Sequence, residues 1–546
     1  MPNNKKTNTL SGKTLSLGLG EGKTYVYRDI MNRFDQFYDI DDNDTESELK
    51  RLDLAMKRIS KDLSVLADRV GAEIDTALSG VFHAHLAIVN DKGLRADIER
   101  EIKDELVSAG SAVRTVFRRW ERRFQSMDAE VSKQKGDDMR DLARRLVSAL
   151  AGVHSHALEK MPRGSVLVAN RLLPSDTVYL ARNMASAALL EVGAKGSHAA
   201  LFAREIGLPC LAGLPGLLET ISDNADALVD ADGAEAIINP TDSQRDAFLK
   251  KVKHRTQTVE KARSLAHKEA QTQDGERIAV LANVGDAEDT QIAVDNGADG
   301  VGLYRLEQIY LSRQHPPSTA ELLEAMQTTL QPAKGLPVYV RLLDVGADKP
   351  LPFIDMPREH NPSLGQRGIR LLMQYPELLQ TQMDALVQLS SDFDVHILVP
   401  MVTLPADMAA AEDALKDAIS RAKPSSIPKL GAMIETPAAA LAAADISKHA
   451  SFLSFGTNDL TQYSFAADRE NAAVDTYFND AHDVIFRLIA MVHDDVPDMP
   501  LSVCGELAGQ TDTTSRLLAC GITALSVVPL SIPTVKEAIR KCHKGE

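Results

Sequence analysis

The positions of the prolines divide this 546-residue chain into two differently built parts. None lies between Pro2 and Pro162, and the other 23 prolines fall at or after Pro162. Because proline lacks a backbone N–H and its ring clashes with the preceding turn, a long stretch without it favours long helices. Within this stretch apolar residues recur at alternating spacings of four and three, which predicts an amphipathic helix packed on other helices. These residues are Leu52, Met56, Ile59, Leu63, Leu66 and Val70.

Further helical patterns predict that this helix belongs to a bundle inserted into a different kind of domain. They cover 77–89, 98–126 and 129–152. Together with the first helix they predict an antiparallel helical bundle over 44–150. On either side of it, short apolar runs alternate with turns and helical patterns. We therefore predict a small α/β domain, made of 1–43 and 151–241, that the bundle interrupts.

A regular alternation of strand and helix patterns fills the rest of the chain. The candidate strands are 278–283, 299–304, 337–343, 395–401, 430–435, 452–456, 499–504 and 523–528. Eight such units over about 250 residues are typical of a (β/α)₈ barrel of the TIM type. The barrel domain is predicted over 276–546, and the charged stretch 242–275, which has few apolar positions, is predicted to be a helical linker. The predicted fold class is thus multidomain α/β.

Composition excludes several classes of function. A net charge of −16 argues against general nucleic-acid binding, which needs a basic surface to displace counterions from phosphates. The four cysteines show no Cys-x-x-Cys spacing, which indicates a reducing compartment rather than a disulfide framework. The N-terminus has no apolar signal core, and no run approaches the roughly 18 apolar residues of a membrane span. A cytoplasmic protein without membrane insertion is expected.

Polar side chains recur where the predicted barrel strands end. They are Asn283, Arg305, Arg341, Glu435, Asn458 with Asp459, and Cys504 with Glu506. In a (β/α)₈ barrel the carboxyl ends of all strands meet at the face that carries the active site. We therefore expect these side chains to line one pocket.

The residue types predict a pocket for a small, highly charged phosphate compound. Guanidinium groups offer forked N–H donors that suit carboxylate and phosphate oxygens. Glu435 and Asp459 are hard oxygen donors from separate strands, and Mg²⁺ usually takes one or two protein carboxylates together with substrate oxygens and water. Such a site stabilises a phosphoryl group in transfer mainly by electrostatics. The arginines concerned are Arg305, Arg341, Arg367 and Arg469.

Two further side chains are candidates for bond-making steps. Cys504 follows the seventh candidate strand. An ordinary thiol pKa of about 8.5 keeps it protonated at neutral pH, ready to donate to an enolate; a buried structural cysteine is the alternative. His198 opens a helix after a glycine-containing loop, where backbone amides favour an anion. Its imidazole is a competent nucleophile toward phosphorus; an ordinary capping or core histidine is the alternative.

Six segments together resemble Enzyme I of the bacterial phosphotransferase system, the phosphoenolpyruvate–protein phosphotransferase family, over nearly the whole chain. The segments are Gly302–Arg305, Val340–Lys349, Asn361–Arg367, Met433–Pro437, Phe455–Tyr463 with Asp468-Arg469, and Cys504–Gly509. The resemblance implies that the barrel binds phosphoenolpyruvate with Mg²⁺. It implies that Glu435 and Asp459 ligate the metal, and that Asn458 and the four arginines hold the substrate.

The resemblance also implies a relay of the phosphoryl group. His198 would accept it from phosphoenolpyruvate and pass it to a histidine of the phosphocarrier HPr, while Cys504 would protonate the enolpyruvate. The α/β domain would then be a phosphohistidine domain that swings between barrel and carrier, the bundle would dock the carrier, and the barrels would form a homodimer. Phe82–His85 and Asn90–Gly93 in the bundle are less acidic than a surface for a basic HPr, so the expected partner is HPr or a related carrier.

Two alternatives fit parts of this sequence. Pyruvate phosphate dikinases and phosphoenolpyruvate synthases resemble it in the histidine and barrel domains, but they also need an ATP-grasp domain, for which no segment is long enough. The other is a regulatory protein that senses phosphoenolpyruvate without relaying phosphate. Lys195-Gly196 favours it, because this pair replaces the family's usual Arg-Thr before Ser-His and removes a hydroxyl near the imidazole.

Overall fold

The computed structural model divides the chain into two compact units, which meet in sequence between Lys253 and His254. No helix in the described part of the chain is both long enough and apolar enough to cross a membrane. The described residues are 7–28, 39–73, 76–125, 130–152, 157–193, 198–311, 313–346, 351, 353–354, 356, 359–469 and 474–543.

The first unit contains an eight-stranded mixed sheet. Its strands are β1 (Asn8–Ser11), β2 (Lys13–Ser16), β3 (Leu19–Tyr27), β4 (Val166–Ala169), β5 (Ala187–Leu190), β6 (Cys210–Ala212), β7 (Asp226–Asp230) and β8 (Glu235–Ile238). The order across the sheet is β1-β8-β7-β3-β4-β5-β6-β2. The run from β3 to β6 is parallel, and the remaining pairs are antiparallel. Strands β3 and β4 are neighbours although the bundle separates them in sequence, which confirms an α/β domain with an inserted bundle.

Eight helices accompany this sheet within the described ranges of the first unit. The bundle contains α1 (Thr45–Glu73), α2 (Thr76–Val89), α3 (Lys92–Glu105), α4 (Ala109–Gln125) and α5 (Glu130–Leu150), and the sheet carries α6 (Pro174–Arg182), α7 (His198–Glu205) and α8 (Leu217–Thr220). As the periodicity predicts, Leu52, Ile59 and Leu63 are buried in the bundle core. A single helical stretch over 98–126 is wrong, because Leu106 adopts a left-handed backbone (φ 49°) that ends α3 before α4 begins.

A buried guanidinium joins the bundle to the sheet. Arg144 of α5 donates to the hydroxyls of Tyr27 (2.6 Å) and Ser175 (2.7 Å) and pairs with Asp141 (2.9 Å) and Asp176 (2.8 Å). Burial alone would raise the pKa of Asp141, but the adjacent guanidinium charges hold that pKa below its ordinary value. The charges of this network therefore satisfy one another.

The second unit is a closed parallel barrel, and all eight predicted strands are present. They are β9 (Ala279–Val284), β10 (Val301–Arg305), β11 (Pro337–Arg341), β12 (Asp394–Val399), β13 (Lys429–Ile434), β14 (Leu453–Phe455), β15 (Leu501–Val503) and β16 (Ala524–Val527). They are mostly apolar because helices cover the barrel and side chains fill its interior. The (β/α)₈ fold class is thereby confirmed.

The remaining helices surround the barrel or lead into it. They are α9 (Asp242–Ser264), α10 (Ala287–Asp295), α11 (Glu307–Leu311), α12 (Thr319–Leu330), α13 (Ile369–Gln374), α14 (Pro376–Leu389), α15 (Pro405–Ala422), α16 (Pro437–Leu441), α17 (Ala443–Ile446), α18 (Thr457–Phe465), α19 (Asp483–Asp495), α20 (Thr514–Ala519) and α21 (Ile532–Ile539). Helix α9 occupies most of the predicted linker, and the division between the two units falls inside it.

Candidate active site

The polar residues predicted at the strand ends lie at one mouth of the barrel, because all eight strands run parallel. Arg305 and Arg341 end β10 and β11, Glu435 directly follows β13, and Cys504 directly follows β15. Asn458 and Asp459 lie in the first turn of α18, which follows β14. The elements of the barrel therefore deliver these side chains to a common rim, as the fold class requires.

Arg341 is held at this rim by two acidic side chains. It donates to Glu307 at 2.5 Å and pairs with Asp344 at 3.1 Å. Glu307 also accepts the backbone N–H of Asp344 at 3.1 Å. Although burial lowers the pKa of Arg341, the surrounding carboxylates hold that pKa above its ordinary value. The guanidinium is thus fixed in orientation before any ligand arrives.

Arg367 connects the segment after β11 to the segment after β14. It pairs with Asp344 at 2.8 Å and with Asp459 at 3.0 Å, and it donates to the hydroxyl of Tyr463 at 3.3 Å. The turn that places it requires the following glycine, Gly368, which has φ 55° and where an added Cβ would lie only 2.9 Å from the Cβ of Met401. Two segments of the barrel mouth, one after β11 and one after β14, are therefore tied together through one guanidinium.

The remaining two arginines extend the positive charge of this mouth. Arg469, after α18, lies 4.0 Å from Asp459. Arg305 is exposed, and it interacts electrostatically with both Arg341 and Arg469. Like charges repel, so guanidinium groups gathered in this way favour an anion between them.

Glu435 is a carboxyl group buried in the middle of these charges. It is 1% exposed, and its Oε2 accepts the backbone N–H of Met401 at 2.8 Å. Met401 offers that N–H from a left-handed backbone (φ 57°), which is uncommon for a residue other than glycine. Burial, and then the negative charges of Asp459 and Asp344, raise the pKa of Glu435 to about 8. At neutral pH Glu435 therefore keeps its proton, and a bound cation would displace that proton.

These acids fit a divalent cation that takes few protein ligands. Among the described residues no three His, Cys, Asp or Glu side chains form a group able to hold a metal ion. Two carboxylates, Glu435 and Asp459, suffice for Mg²⁺ when substrate oxygens and water complete its coordination. Burial is the main cause of the raised pKa of Glu435, and the charges of Asp459 and Asp344 add to it, so a divalent cation between Glu435 and Asp459 would offset their repulsion.

Cys504 lies beneath this mouth as a buried thiol. It is 4% exposed, and the hydroxyl of Ser454 donates to its sulfur at 3.4 Å. Burial raises the pKa of Cys504 to about 11, so the thiol keeps its proton at neutral pH, as the sequence predicts. Asn458 accepts the backbone N–H of Glu506 at 2.9 Å, which ties the α18 turn to the segment after Cys504.

His198 belongs to the first unit, at the start of α7. Its side chain, and all of Lys195, Gly196 and Ser197, lie outside the described residues. One turn further along α7, Phe202 is fully buried and belongs to the bundle core. The helix that His198 opens is therefore anchored to the inserted bundle.

Three residues of the mouth were missed by sequence reasoning. Glu307 resembles an ordinary acidic residue in the first turn of a helix, where it complements the helix dipole. Asp344 lies inside the Val340–Lys349 segment, where its carboxylate could have been noticed between Arg341 and Lys349. Tyr463 gives no sequence signal, because its hydroxyl meets Arg367 only in the folded barrel.

Three protein families match successive parts of this chain. Residues 259–544 match the family described as PEP-utilising enzyme, PEP-binding domain. Residues 11–135 match the family described as PEP-utilising enzyme, N-terminal, and residues 161–233 match its mobile domain. The chain therefore belongs to the PEP-utilising enzymes.

Individual relatives narrow the class further. The phosphoenolpyruvate-protein phosphotransferase of Haloferax volcanii is 34% identical over 88% of this chain and 84% of its own length. The one from Bacillus subtilis is 31% identical over 92% of this chain and 90% of its own length. A solved structure described as Enzyme I (nEIt) is 25% identical over 45% of this chain and 99% of its own, with a TM-score of 0.39, a likeness too weak to bear on the fold. The chain belongs to the phosphoenolpyruvate–protein phosphotransferase family, a family of transferases.

Proposed function

We propose that this protein transfers the phosphoryl group of phosphoenolpyruvate to His198 and then to a histidine of an HPr-type carrier, releasing pyruvate. The observation that carries the proposal is the meeting of four guanidiniums with a buried, proton-retaining carboxyl at one barrel mouth. Such a site suits a small substrate that carries both a carboxylate and a phosphate. Family membership supports the same chemistry.

The four arginines would have different roles in substrate binding, because they differ in how closely they are already paired with acidic side chains. Arg341 and Arg367 are already fixed by Asp344, whereas Arg305 is exposed. We assign Arg305 and Arg469 to the incoming anion and Arg341 and Arg367 to preorganised electrostatic stabilisation, since fixed charges need no reorganisation during the reaction. Asn458 would contribute its amide to the substrate.

A magnesium ion would be held by Glu435 and Asp459. When bound, it supplies charge neutralisation for the phosphoryl oxygens. Glu435 must release its proton to serve as a ligand, and Asp459 must share its carboxylate with Arg367. The cofactor requirement is therefore linked to pH.

Transfer breaks the bridging P–O bond of phosphoenolpyruvate as an imidazole nitrogen of His198 forms a bond to phosphorus. The enolate oxygen takes the electrons of the broken bond, and the methylene carbon then accepts the Cys504 proton to give pyruvate. The raised pKa of Cys504 keeps that proton available. Burial beside Ser454 shields the thiol from other reactions.

The architecture supports a division of labour within a cytoplasmic homodimer. The phosphohistidine domain (1–43 with 151–241) would carry His198, the insert (44–150) would dock the carrier, and the linker (242–275) would allow the histidine to move. The barrel domain (276–546) would bind the substrate and dimerise.

Incubation with phosphoenolpyruvate labelled on phosphorus, in the presence of Mg²⁺, tests the acceptor. We expect acid-labile label on the wild type and on a His254→Ala control, which alters an exposed histidine of α9. His198→Ala should take no label. Label that persists after His198→Ala would contradict the assignment, and a wild type that binds phosphoenolpyruvate without taking label would indicate a sensor instead.

A further inference from the structure

Helix α4 of the inserted bundle has a charge opposite to that of the chain as a whole. It contains five arginines and one glutamate, whereas the protein has a net charge of −16. Four of these arginines, Arg118, Arg119, Arg122 and Arg123, are exposed, and we call them the arginine face of α4. The fifth, Arg114, is buried.

Part of this face is explained by contacts inside the bundle. Arg119 pairs with Glu101 of α3 at 2.8 Å. The guanidinium of Arg123 lies over the ring of Trp120, 5.5 Å from its centroid. These contacts fix the flank of α4 that faces its neighbours.

Arg118 and Arg122 have no such explanation. They are one helical turn apart and lie opposite the side that Val116 and Phe117 bury. Within the described ranges neither guanidinium has an acidic partner within salt-bridge distance. Like charges at this spacing destabilise a helix by about 0.2–0.5 kcal/mol, and only the last turn gains from the helix dipole. Fold stability therefore does not account for Arg118.

Helix α2, which carries the segment Phe82–His85, has no charged side chain to offer a basic partner. Helix α2 (Thr76–Val89) contains no Asp, Glu, Lys or Arg. It exposes His83, Ala84 and Ala87 instead. A partner that touched α2 would therefore meet a neutral surface.

We propose that the arginine face of α4 docks an acidic protein surface, and that the phosphocarrier served by this chain presents acidic rather than basic residues there. The inference rests on the proposed function, because it assigns the carrier's docking site to this face. Arg118 and Arg122 provide unpaired charge for steering and register, and exposed guanidiniums suit carboxylates in forked geometry. A solvated face without a partner is the alternative that the experiment below excludes or establishes.

Trp120 makes the test specific, since it is the protein's one tryptophan and lies beside Arg123. Its fluorescence would be titrated with a tryptophan-free HPr in two forms, one with its basic docking face and one with the lysines and arginines of that face changed to glutamate. We expect the glutamate form to bind at least about tenfold more tightly, with an affinity that falls as salt rises. Equal or tighter binding of the basic form, or binding of neither form, would overturn the proposal.

Variants of the two unpaired arginines complete the test. Arg118→Glu with Arg122→Glu should reverse the preference between the two carrier forms. Arg118→Gln with Arg122→Gln, which avoids adding negative charge, should weaken binding of the glutamate form. Lys57→Glu with Lys61→Glu makes the same charge change at the same spacing on exposed sites of α1 and should change neither affinity. Equal effects of the α1 and α4 variants would show general charge rather than docking.

Labelling of the wild type by phosphoenolpyruvate is measured separately, without any carrier. A wild type that takes no label but still prefers the glutamate form would defeat the proposed function and support the docking surface. A wild type that is labelled at His198 but prefers the basic form would support the proposed function and defeat the docking surface.

Discussion

Two buried networks contain the same kinds of side chain, arginines and carboxyl groups, but the pKa of a carboxyl group is lowered in one and raised in the other. Between the bundle and the sheet, Arg144 meets Asp141 and Asp176, and the adjacent guanidiniums keep the pKa of Asp141 low against the effect of burial. At the barrel mouth, Arg341 and Arg367 also pair with acids, yet the pKa of Glu435 rises to about 8.

The difference separates a network that holds a fold from one that awaits a ligand. In the first, each ionised group finds its counter-charge inside the protein, so nothing remains to be bound. In the second, burial and the nearby charges of Asp459 and Asp344 make Glu435 keep its proton, although Arg341 and Arg367 lie close to it. A buried ion pair whose charges compensate each other does not mark a functional site, whereas a buried carboxyl with a strongly raised pKa is a candidate for one.

Glu435→Gln removes the acid from the network at the barrel mouth and should have the largest effect, which is on phosphoenolpyruvate-dependent labelling. The amide matches the carboxyl in shape but cannot neutralise a divalent cation, so phosphoenolpyruvate-dependent labelling should fall roughly 10³-fold. Single-turnover labelling measures it, with Glu324→Gln on an exposed face of α12 as the control. A loss of less than tenfold would remove Glu435 from the site.

Arg144→Met breaks the other network and should destabilise the first unit without a direct effect on the barrel mouth. Removing the guanidinium takes a counter-charge away from the buried Asp141 and Asp176, and breaking a buried ion pair typically costs about 3–5 kcal/mol. Calorimetry on the whole chain would follow the unfolding of the first unit. Arg100→Met, which removes an exposed pair with Asp97, should cost less than about 1 kcal/mol, and equal losses would refute the distinction.

Two buried thiols allow a matched comparison of the same kind. Burial raises the pKa of Cys504 to about 11 and that of Cys210, in the sheet of the first unit, to about 12. Cys504→Ala should slow pyruvate formation about 10²-fold with little change in substrate affinity, because the thiol acts in proton transfer. Cys210→Ala should leave that rate unchanged. Wild-type turnover in Cys504→Ala would exclude the thiol from the mechanism.

The pH dependence of barrel stability gives the smallest effect. Because the pKa of Glu435 is raised in the folded state to about 8, the stability it contributes is complete below the ordinary carboxyl pKa of 4.5 and is lost as pH rises toward 8. Without Mg²⁺, Glu435→Gln should therefore be more stable than the wild type at pH 8. The two should match at pH 4, and Mg²⁺ should restore only the wild type. A pH-independent difference would contradict the raised pKa.

The architecture was predictable from the sequence, because the spacing of apolar residues and the positions of prolines and turn residues are local properties. Eight apolar runs separated by helical patterns were enough to predict the barrel, and the proline-free stretch with its helical spacing was enough to predict the bundle. The division between α3 and α4 was missed because Leu106 carries no turn signature, although its backbone is left-handed. A tertiary constraint overrode propensity there.

The candidate site was predictable in its members but not in their pairing. Strand ends located Arg305, Arg341 and Glu435, since parallel strands must deliver their carboxyl ends to one face. No sequence pattern couples Arg341 to Glu307 or Arg367 to Asp459, because those partners are 34 and 92 positions apart and meet only when the barrel closes. The roles of these residues stay predictions.

The left-handed backbone of Met401 has a consequence for engineering. A side chain in that conformation costs roughly 1–2 kcal/mol relative to glycine, and its N–H is the one that meets Glu435 at 2.8 Å. Directed evolution for heat tolerance should accordingly recover glycine at this position. If such variants are more heat-stable but turn over more slowly, the strained backbone at Met401 is needed to hold Glu435 in its working position.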